Sequence, residues 1–229
     1  MSSDHTESAA LTQVSRLIEV MRTLREQCPW DHEQTHRSLM TYLIEETAEV
    51  VEAVEAGSDA QMVEELGDLL LQVVFHAQIA SERGAFSLTE IARDVSDKLV
   101  ARHPYVWADQ PVPDDVAGAW ERRKRAQKHR ASALDGIPEQ LSALTRANKV
   151  VTRLRAHDIE PGLPTDPITA DELGSAMLDL VGRAQASQID PEQALRQVVR
   201  RLETEARQIE ADQTSATADG LDSSTTLVP

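Results

Sequence analysis

Aromatic residues are scarce in this chain of 229 residues: two Phe, two Tyr and three Trp amount to 3% of it, while Ala, Leu, Val, Glu and Arg abound. That balance points to an all-α protein. Cysteine is nearly missing. The one present, Cys28, excludes an intrachain disulfide framework and fits a reducing compartment. Beside Pro29 and Trp30, with no basic neighbour, it reads as a small hydrophobe rather than a catalytic thiol. No apolar run reaches the ~18 residues of a membrane span, and residues 1–10 lack a basic stretch followed by an apolar core, so no signal peptide is expected. No Gly-x-x-x-x-Gly-Lys-Ser/Thr loop occurs, which excludes a P-loop enzyme. Positive charge is also short, 23 Lys and Arg against 39 Asp and Glu, for a formal net charge of −16. Nucleic acid is therefore not the expected partner, although a metal could still bridge acidic side chains to a phosphorylated substrate. The expectation is a soluble, cytoplasmic protein that contacts neither membrane nor nucleic acid.

What the chain does have is acid in a pattern. Glu45-Glu46-Thr47-Ala48-Glu49 is followed by Glu65-Leu66-Gly67-Asp68. Apolar residues at Leu43, Val50, Val51 and Val54, then at Leu66, Leu69, Leu70, Val73 and Val74, give both stretches a helical period. Glu46 and Glu49 are three apart, as are Glu65 and Asp68, so each pair shares a helix face. Gly57-Ser58-Asp59 supplies a helix stop and a restart, and so short a link implies an antiparallel hairpin that turns the two carboxylate pairs toward each other. Two unit charges ~5 Å apart repel by roughly 3 kcal/mol at an effective dielectric near 20. No Lys or Arg lies between Ile44 and Ser81 to offset this. A solvated acidic face is the ordinary fate of such a helix. Here Glu65 and Asp68 adjoin the apolar run Leu69-Leu70-Leu71, which favours a hard divalent cation, Mg²⁺ or in its place Mn²⁺, held by Glu46, Glu49, Glu65 and Asp68.

Around the hairpin, apolar positions from Leu11 to Leu24 predict a helix from about Ser8 to Gln27. Asp31 and Gln34 have capping-box spacing and are expected to open the helix that carries the first acidic pair, with Trp30 either a hydrophobic staple or part of a nucleotide pocket. Ser87-Leu88-Thr89-Glu90 is a second capping box, and Gly84 a C-cap. Lys98 and Arg102, four apart, end the following helix as dipole-favoured cations. A basic cluster, Arg122-Arg123-Lys124-Arg125, follows Trp120 and could balance charge, meet a partner subunit or close over a triphosphate; an aromatic plate beside a cation suits a nucleotide. Leu134-Asp135-Gly136-Ile137-Pro138 looks like a boundary. Beyond it, helices are expected at about 139–157, 170–187 and 191–212, with Glu172-Leu173-Gly174-Ser175 a faint echo of Glu65-Leu66-Gly67-Asp68 that has lost its acid partner.

The order Glu-Glu-x-x-Glu, spacer, Glu-x-x-Asp resembles the metal motif of the MazG-type all-α nucleoside triphosphate pyrophosphohydrolases. The resemblance takes in Cys28-Pro29-Trp30-Asp31 before the motif, and Asp97-Lys98-Leu99 with Arg102-His103-Pro104 after it. It is close from roughly Leu17 to Lys128 and looser to about Ile209. It implies hydrolysis of nucleoside triphosphates between the α and β phosphates, and pairing of the bundle into a homodimer or higher homo-oligomer. Lys98 and Arg102 match phosphate-binding positions, and Trp120 and Lys124 positions tied to nucleotide binding. Trp30 joins them as a candidate substrate contact, and Glu45, one residue off the ligand face, as the group that positions or deprotonates water. The domain reading is a disordered terminus over 1–7, a catalytic domain over 8–131, a degenerate helical repeat for packing or oligomerisation over 132–211, and a disordered tail over 212–229. A site without evident readers of base edges implies broad base tolerance, in keeping with nucleotide-pool housekeeping or a stress role. Two rivals are a non-catalytic helical adaptor and a di-iron carboxylate bundle, though only Glu33-Gln34-Thr35-His36 supplies the Glu-x-x-His that the latter needs twice.

Overall fold

A computed structural model describes residues 2–160 and 162–222, with side chains for 8–160 and 162–213. Among the described residues the regular structure is helical throughout, as the composition implies. No described helix is long and apolar enough to cross a membrane. The chain forms two compact units, residues 1–101 and 102–229.

In the first unit, α1 (Ser2–Gln27) leads through Cys28 to the short α2 (Pro29–Glu33), then α3 (Met40–Ala56), α4 (Asp59–Glu82) and α5 (Leu88–Arg102), whose last residue already counts with the second unit. Neither proline nor glycine interrupts Ser2–Gln27, so α1 propagates through residues expected to be disordered. α3 and α4 form the expected antiparallel hairpin. Gly57 takes the left-handed conformation, φ 68°, and its N–H reaches Ala53 O and Val54 O; Ser58 then caps α4 by accepting from Gln61 N–H. The core is Met21, Leu39, Val74, Phe75 and Ile79, with Leu17, Leu71 and Leu88 packed on it.

One expectation here is corrected. Asp31 does not cap the helix carrying the acids; it lies buried inside α2, and Gln34 ends that helix. α3 itself begins after Leu39 with no side-chain cap; the turn leading into it is closed by the reciprocal pair Thr35 and Ser38, in which Ser38 N–H donates to Thr35 Oγ1 at 3.1 Å and Thr35 N–H to Ser38 Oγ at 2.9 Å. The proline of α2 started a separate turn, which pushed the true start downstream. Buried Arg25 finishes that turn, donating to Asp31 O, to His32 O at 2.9 Å and to Gln34 O at 3.1 Å. Asp31 O also accepts from Gln34 N–H at 3.1 Å, so the guanidinium reinforces the end of α2. Of the second capping box the glutamate half is present, Ser87 N–H and Oγ–H both donating to Glu90 Oε2, while Ser87 Oγ accepts from Thr89 N–H at 3.2 Å.

The second unit contains α6 (Pro104–Trp107), α7 (Val116–Gln127), α8 (Ala143–Ala156), α9 (Ala170–Ala186) and α10 (Pro191–Asp222). The compact division falls after Ala101, not near residue 131. The reason is physical: Leu134 and Ile137, which looked like punctuation, are core residues with Ala133, Val150, Leu154, Ile159, Val199 and Ala206. α10 continues past residue 212, where a disordered tail was expected to begin. The rest of that tail, 223–229, lies outside the described residues, as does Met1. α9 buries no residue, and its capping box uses Thr169 and Glu172. Glu172 is thus spent at a helix start, whereas its supposed counterpart Glu65 lies beyond the first turn of α4.

Candidate metal centre

The antiparallel pairing of α3 and α4 carries one carboxylate oxygen each of Glu46, Glu49 and Glu65 to within 4.8 Å of one another. Glu46 and Glu65 are half-buried and Glu49 is exposed. Asp68 is not part of that mutually close group, but its negative charge acts on both Glu46 and Glu65. Glu45 is exposed and adds to the negative potential at Glu46. Partial burial, then Asp68, Glu49 and Glu45, pushes the Glu46 carboxyl above its ordinary range. Burial, then Glu49, Glu64, Asp68 and Glu52, does the same for Glu65. Every charge acting on these two is another carboxylate. Among the described residues no Lys or Arg forms an ion pair with Glu46, Glu49, Glu65 or Asp68.

This donor set fits a hard cation. All the oxygens are carboxylate, they converge from two rigid helices, and nothing else neutralises them. Three carboxylates leave coordination positions for water and phosphate oxygens, the habit of Mg²⁺. A di-iron centre fits less well. His36 is committed to His76, with Nδ1 to Nδ1 at 2.7 Å and the rings stacked, and to Arg83 through Nε2 at 3.0 Å.

The cationic and aromatic candidates are less free than the sequence suggests. Lys98, in the first unit, pairs with Asp94 at 3.1 Å. Trp30 is half-exposed and meets the edge of Tyr42 with ring centroids 5.9 Å apart. Arg102, Trp120 and Lys124 belong to the second unit. Arg102 is buried; its Nε and Nη2 donate to Gln127 Oε1 at 3.0 and 2.9 Å, and its guanidinium lies 4.9 Å from the Trp120 ring centroid. Lys124 pairs with Glu121 at 3.3 Å, and burial lowers its ammonium pKa against the pull of Glu121.

Much of the basic cluster around them is structural. Arg122 donates to Ala156 O, Arg123 to Arg102 O, and Arg125 to Ala131 O while pairing with Glu210. Sequence reasoning passed over Glu121, which faces both Lys124 and the buried Arg153, the latter at 3.4 Å. The Glu121–Lys124 spacing of three was a visible signal; the Arg153 contact, made across α7 and α8, had none.

Residues 34–107, which contain the whole acidic hairpin, match the MazG nucleotide pyrophosphohydrolase domain. The Thermotoga maritima nucleoside triphosphate pyrophosphohydrolase/pyrophosphatase MazG is 37% identical over 208 residues, covering 81% of this chain and 81% of its own length. The Escherichia coli (strain K12) nucleoside triphosphate pyrophosphohydrolase is 45% identical over 151 residues, 62% of this chain; the chain spans 57% of that relative. A crystal structure of a MazG-related protein from Thermotoga maritima aligns with 48% of this chain and 98% of its own, at 27% identity and a TM-score of 0.43. A relative matched over four-fifths of both chains settles the family: this chain belongs to the MazG nucleoside triphosphate pyrophosphohydrolases.

Proposed function

We propose that this chain hydrolyses nucleoside triphosphates to the monophosphate and pyrophosphate, using a divalent cation, Mg²⁺ by preference and Mn²⁺ as a substitute. The observation that carries the proposal is the convergence of Glu46, Glu49 and Glu65 without a cationic partner among the described residues. These three would hold the ion, with Asp68 completing the negative field around it. Bound there, the ion would neutralise charge on the triphosphate and acidify an attacking water. Glu45 is proposed to orient or deprotonate that water, being adjacent to the ligands yet outside their cluster.

Lys98 is proposed as a phosphate contact, which requires it to exchange Asp94 for a phosphate oxygen. Arg102, Trp120, Lys124 and Trp30 are proposed substrate contacts on the strength of the family motif. Within the second unit the Arg102 guanidinium over Trp120 fixes the angle of the indole, which a stacking role would use. The absence of evident base-edge readers supports broad base tolerance, and with it a nucleotide-pool or stress role in the cytoplasm.

The oligomeric reading rests on apolar exposure. α3 buries only Ala53, while Ile44, Val51 and Val54 on α3 and Val63, Leu66 and Leu70 on α4 are exposed. A second copy of the chain is proposed to cover them, and sedimentation equilibrium giving only monomer would sink that part.

Phosphorus NMR of the products from the common ribo- and deoxyribonucleoside triphosphates, with excess Mg²⁺, tests the reaction. Pyrophosphate and monophosphate from the wild type and neither from Glu49→Gln is the expected result. Orthophosphate and diphosphate would mean that another bond is broken.

A further inference from the structure

The second unit holds a cavity of about 350 Å³ remote in sequence from every residue given a role above. Four guanidinium groups line it, Arg146 of α8 and Arg196, Arg200 and Arg207 of α10, against the carboxylates Glu139 and Glu203. The α10 arginines are four and seven residues apart, so one helix face carries all three. Such a gathering is conspicuous in a chain with a formal net charge of −16.

Three of these side chains are held in place. Arg146 donates from Nε and Nη2 to the two oxygens of Glu203 at 2.7 and 3.0 Å, and from Nη1 to Pro138 O at 2.9 Å. Arg196 donates to Glu139 O at 3.0 Å and to Leu141 O at 2.9 Å, and also pairs with Glu192. Arg207 pairs with Asp135 at 3.0 Å. Glu192 and Asp135 hold their arginines from outside the lining. Glu203 has both oxygens committed to Arg146, so it offers little repulsion to an incoming anion.

Arg200 differs. It is exposed, and its guanidinium has no ion pair or hydrogen bond among the described residues. A planar fork left free beside three pinned ones is suited to bind oxygens of a tetrahedral anion, with little side-chain entropy to lose in the surrounding wall. The volume sits at the small end of the ~300–1,000 Å³ range of small-molecule sites. That leaves room for more than one tetrahedral group but not for an extended polymer.

We propose that this cavity binds a small phosphate-bearing anion, with Arg200 making the direct contact and the carboxylate-paired Arg146, Arg196 and Arg207 forming a preorganised wall of guanidinium groups. The phosphoryl group is the shared chemistry of two sources, inorganic pyrophosphate and a nucleoside monophosphate. Calorimetric titration of the full chain with each, in EDTA and at fixed ionic strength, tests the proposal without involving the acidic hairpin. Saturable binding is expected, weakened about tenfold by Arg200→Ala, in line with loss of one charge-assisted contact, and unchanged by Glu49→Gln. Tighter binding of pyrophosphate would assign the site to the inorganic anion, and tighter binding of adenosine monophosphate to the ester. Arg200→Ala should melt like the wild type, because the side chain is exposed and unpaired. No saturable binding of either probe would overturn the proposal. So would an Arg200→Ala protein that binds as well as the wild type, or binding that disappears in Glu49→Gln.

Discussion

The packing of α7, α8 and α10 and the pairing of α3 with α4 both fix carboxylates at contacts between helices, with opposite results. In the former, Glu203 receives a fork from Arg146, Glu210 pairs with Arg125 and accepts from Ser132, and Glu121 faces Lys124 and Arg153. In the latter, Glu46, Glu49 and Glu65 face one another with only further carboxylates acting on them. Folding tolerates the first arrangement because each buried charge is compensated. The second survives because its members are half-exposed, and a divalent cation would turn its repulsion into binding energy. Uncompensated charge on a rigid frame separates a site from a structural ion pair.

The sharpest way to break that contrast is Glu49→Gln. We expect turnover to fall by about a hundredfold or more, as loss of a direct metal ligand should exceed the 10–100-fold effect of an outer-shell change. The metal-free melting temperature should hold or rise, since a repulsive charge is removed. Turnover assays and melting curves with and without Mg²⁺ measure both; a Mg²⁺-induced stabilisation equal to that of the wild type would refute the ligand assignment.

The next largest effect lies in the second unit. Leu154, 1% exposed at the centre of its core, should cost about 2–5 kcal/mol as Leu154→Ala, read by denaturant unfolding. Metal affinity, measured by titration under folding conditions, should stay at the wild-type value if the acidic hairpin draws its geometry from α3 and α4 alone.

Smaller still is Gly57→Ala, which places a Cβ at φ 68° in the turn that sets the hairpin register. About 1 kcal/mol of destabilisation is expected, with no neighbouring atom to clash. A stability change within error would mean that the turn relaxes.

The last prediction concerns pH. The hydrogen bond from Arg25 holds the Glu82 carboxyl below the usual range, helped by Gln78 and opposed by burial. A carboxyl depressed in the folded state contributes stability above its unfolded pKa of ~4.3 and loses it as pH falls through the lower folded value. The stability difference between wild type and Glu82→Gln should therefore be flat from pH 7 to about 5, then shrink toward zero below about 4. A difference that grew on acidification would contradict the assigned direction. Glu46 and Glu65, raised rather than depressed, stand on the other side of the comparison.

Local signals carried a good part of this protein. Gly57 and Ser58 announced the hairpin because a left-handed stop and a hydroxyl cap act within a few residues. The spacing of Glu46, Glu49 and Glu65 then followed from helix periodicity. Asp31 misled because proline at the start of α2 began a turn of its own, and a further turn closed by Thr35 and Ser38 intervenes before α3. Leu134 and Ile137 misled because Asp, Gly and Pro beside them look like linker, while their burial depends on α8 and α10 far along the chain.

By itself, then, the sequence determined the all-helical class, the acidic hairpin and the shortage of cations near it, since each is set by residue type and short-range spacing. Only the tertiary structure decided that Asp68 acts on Glu46 and Glu65 without joining the close group of three, that Arg102 is occupied by Gln127 and Trp120, and that Arg200 is left open beside three pinned arginines. Those outcomes depend on contacts between residues distant in the chain, whose partners no local period can name.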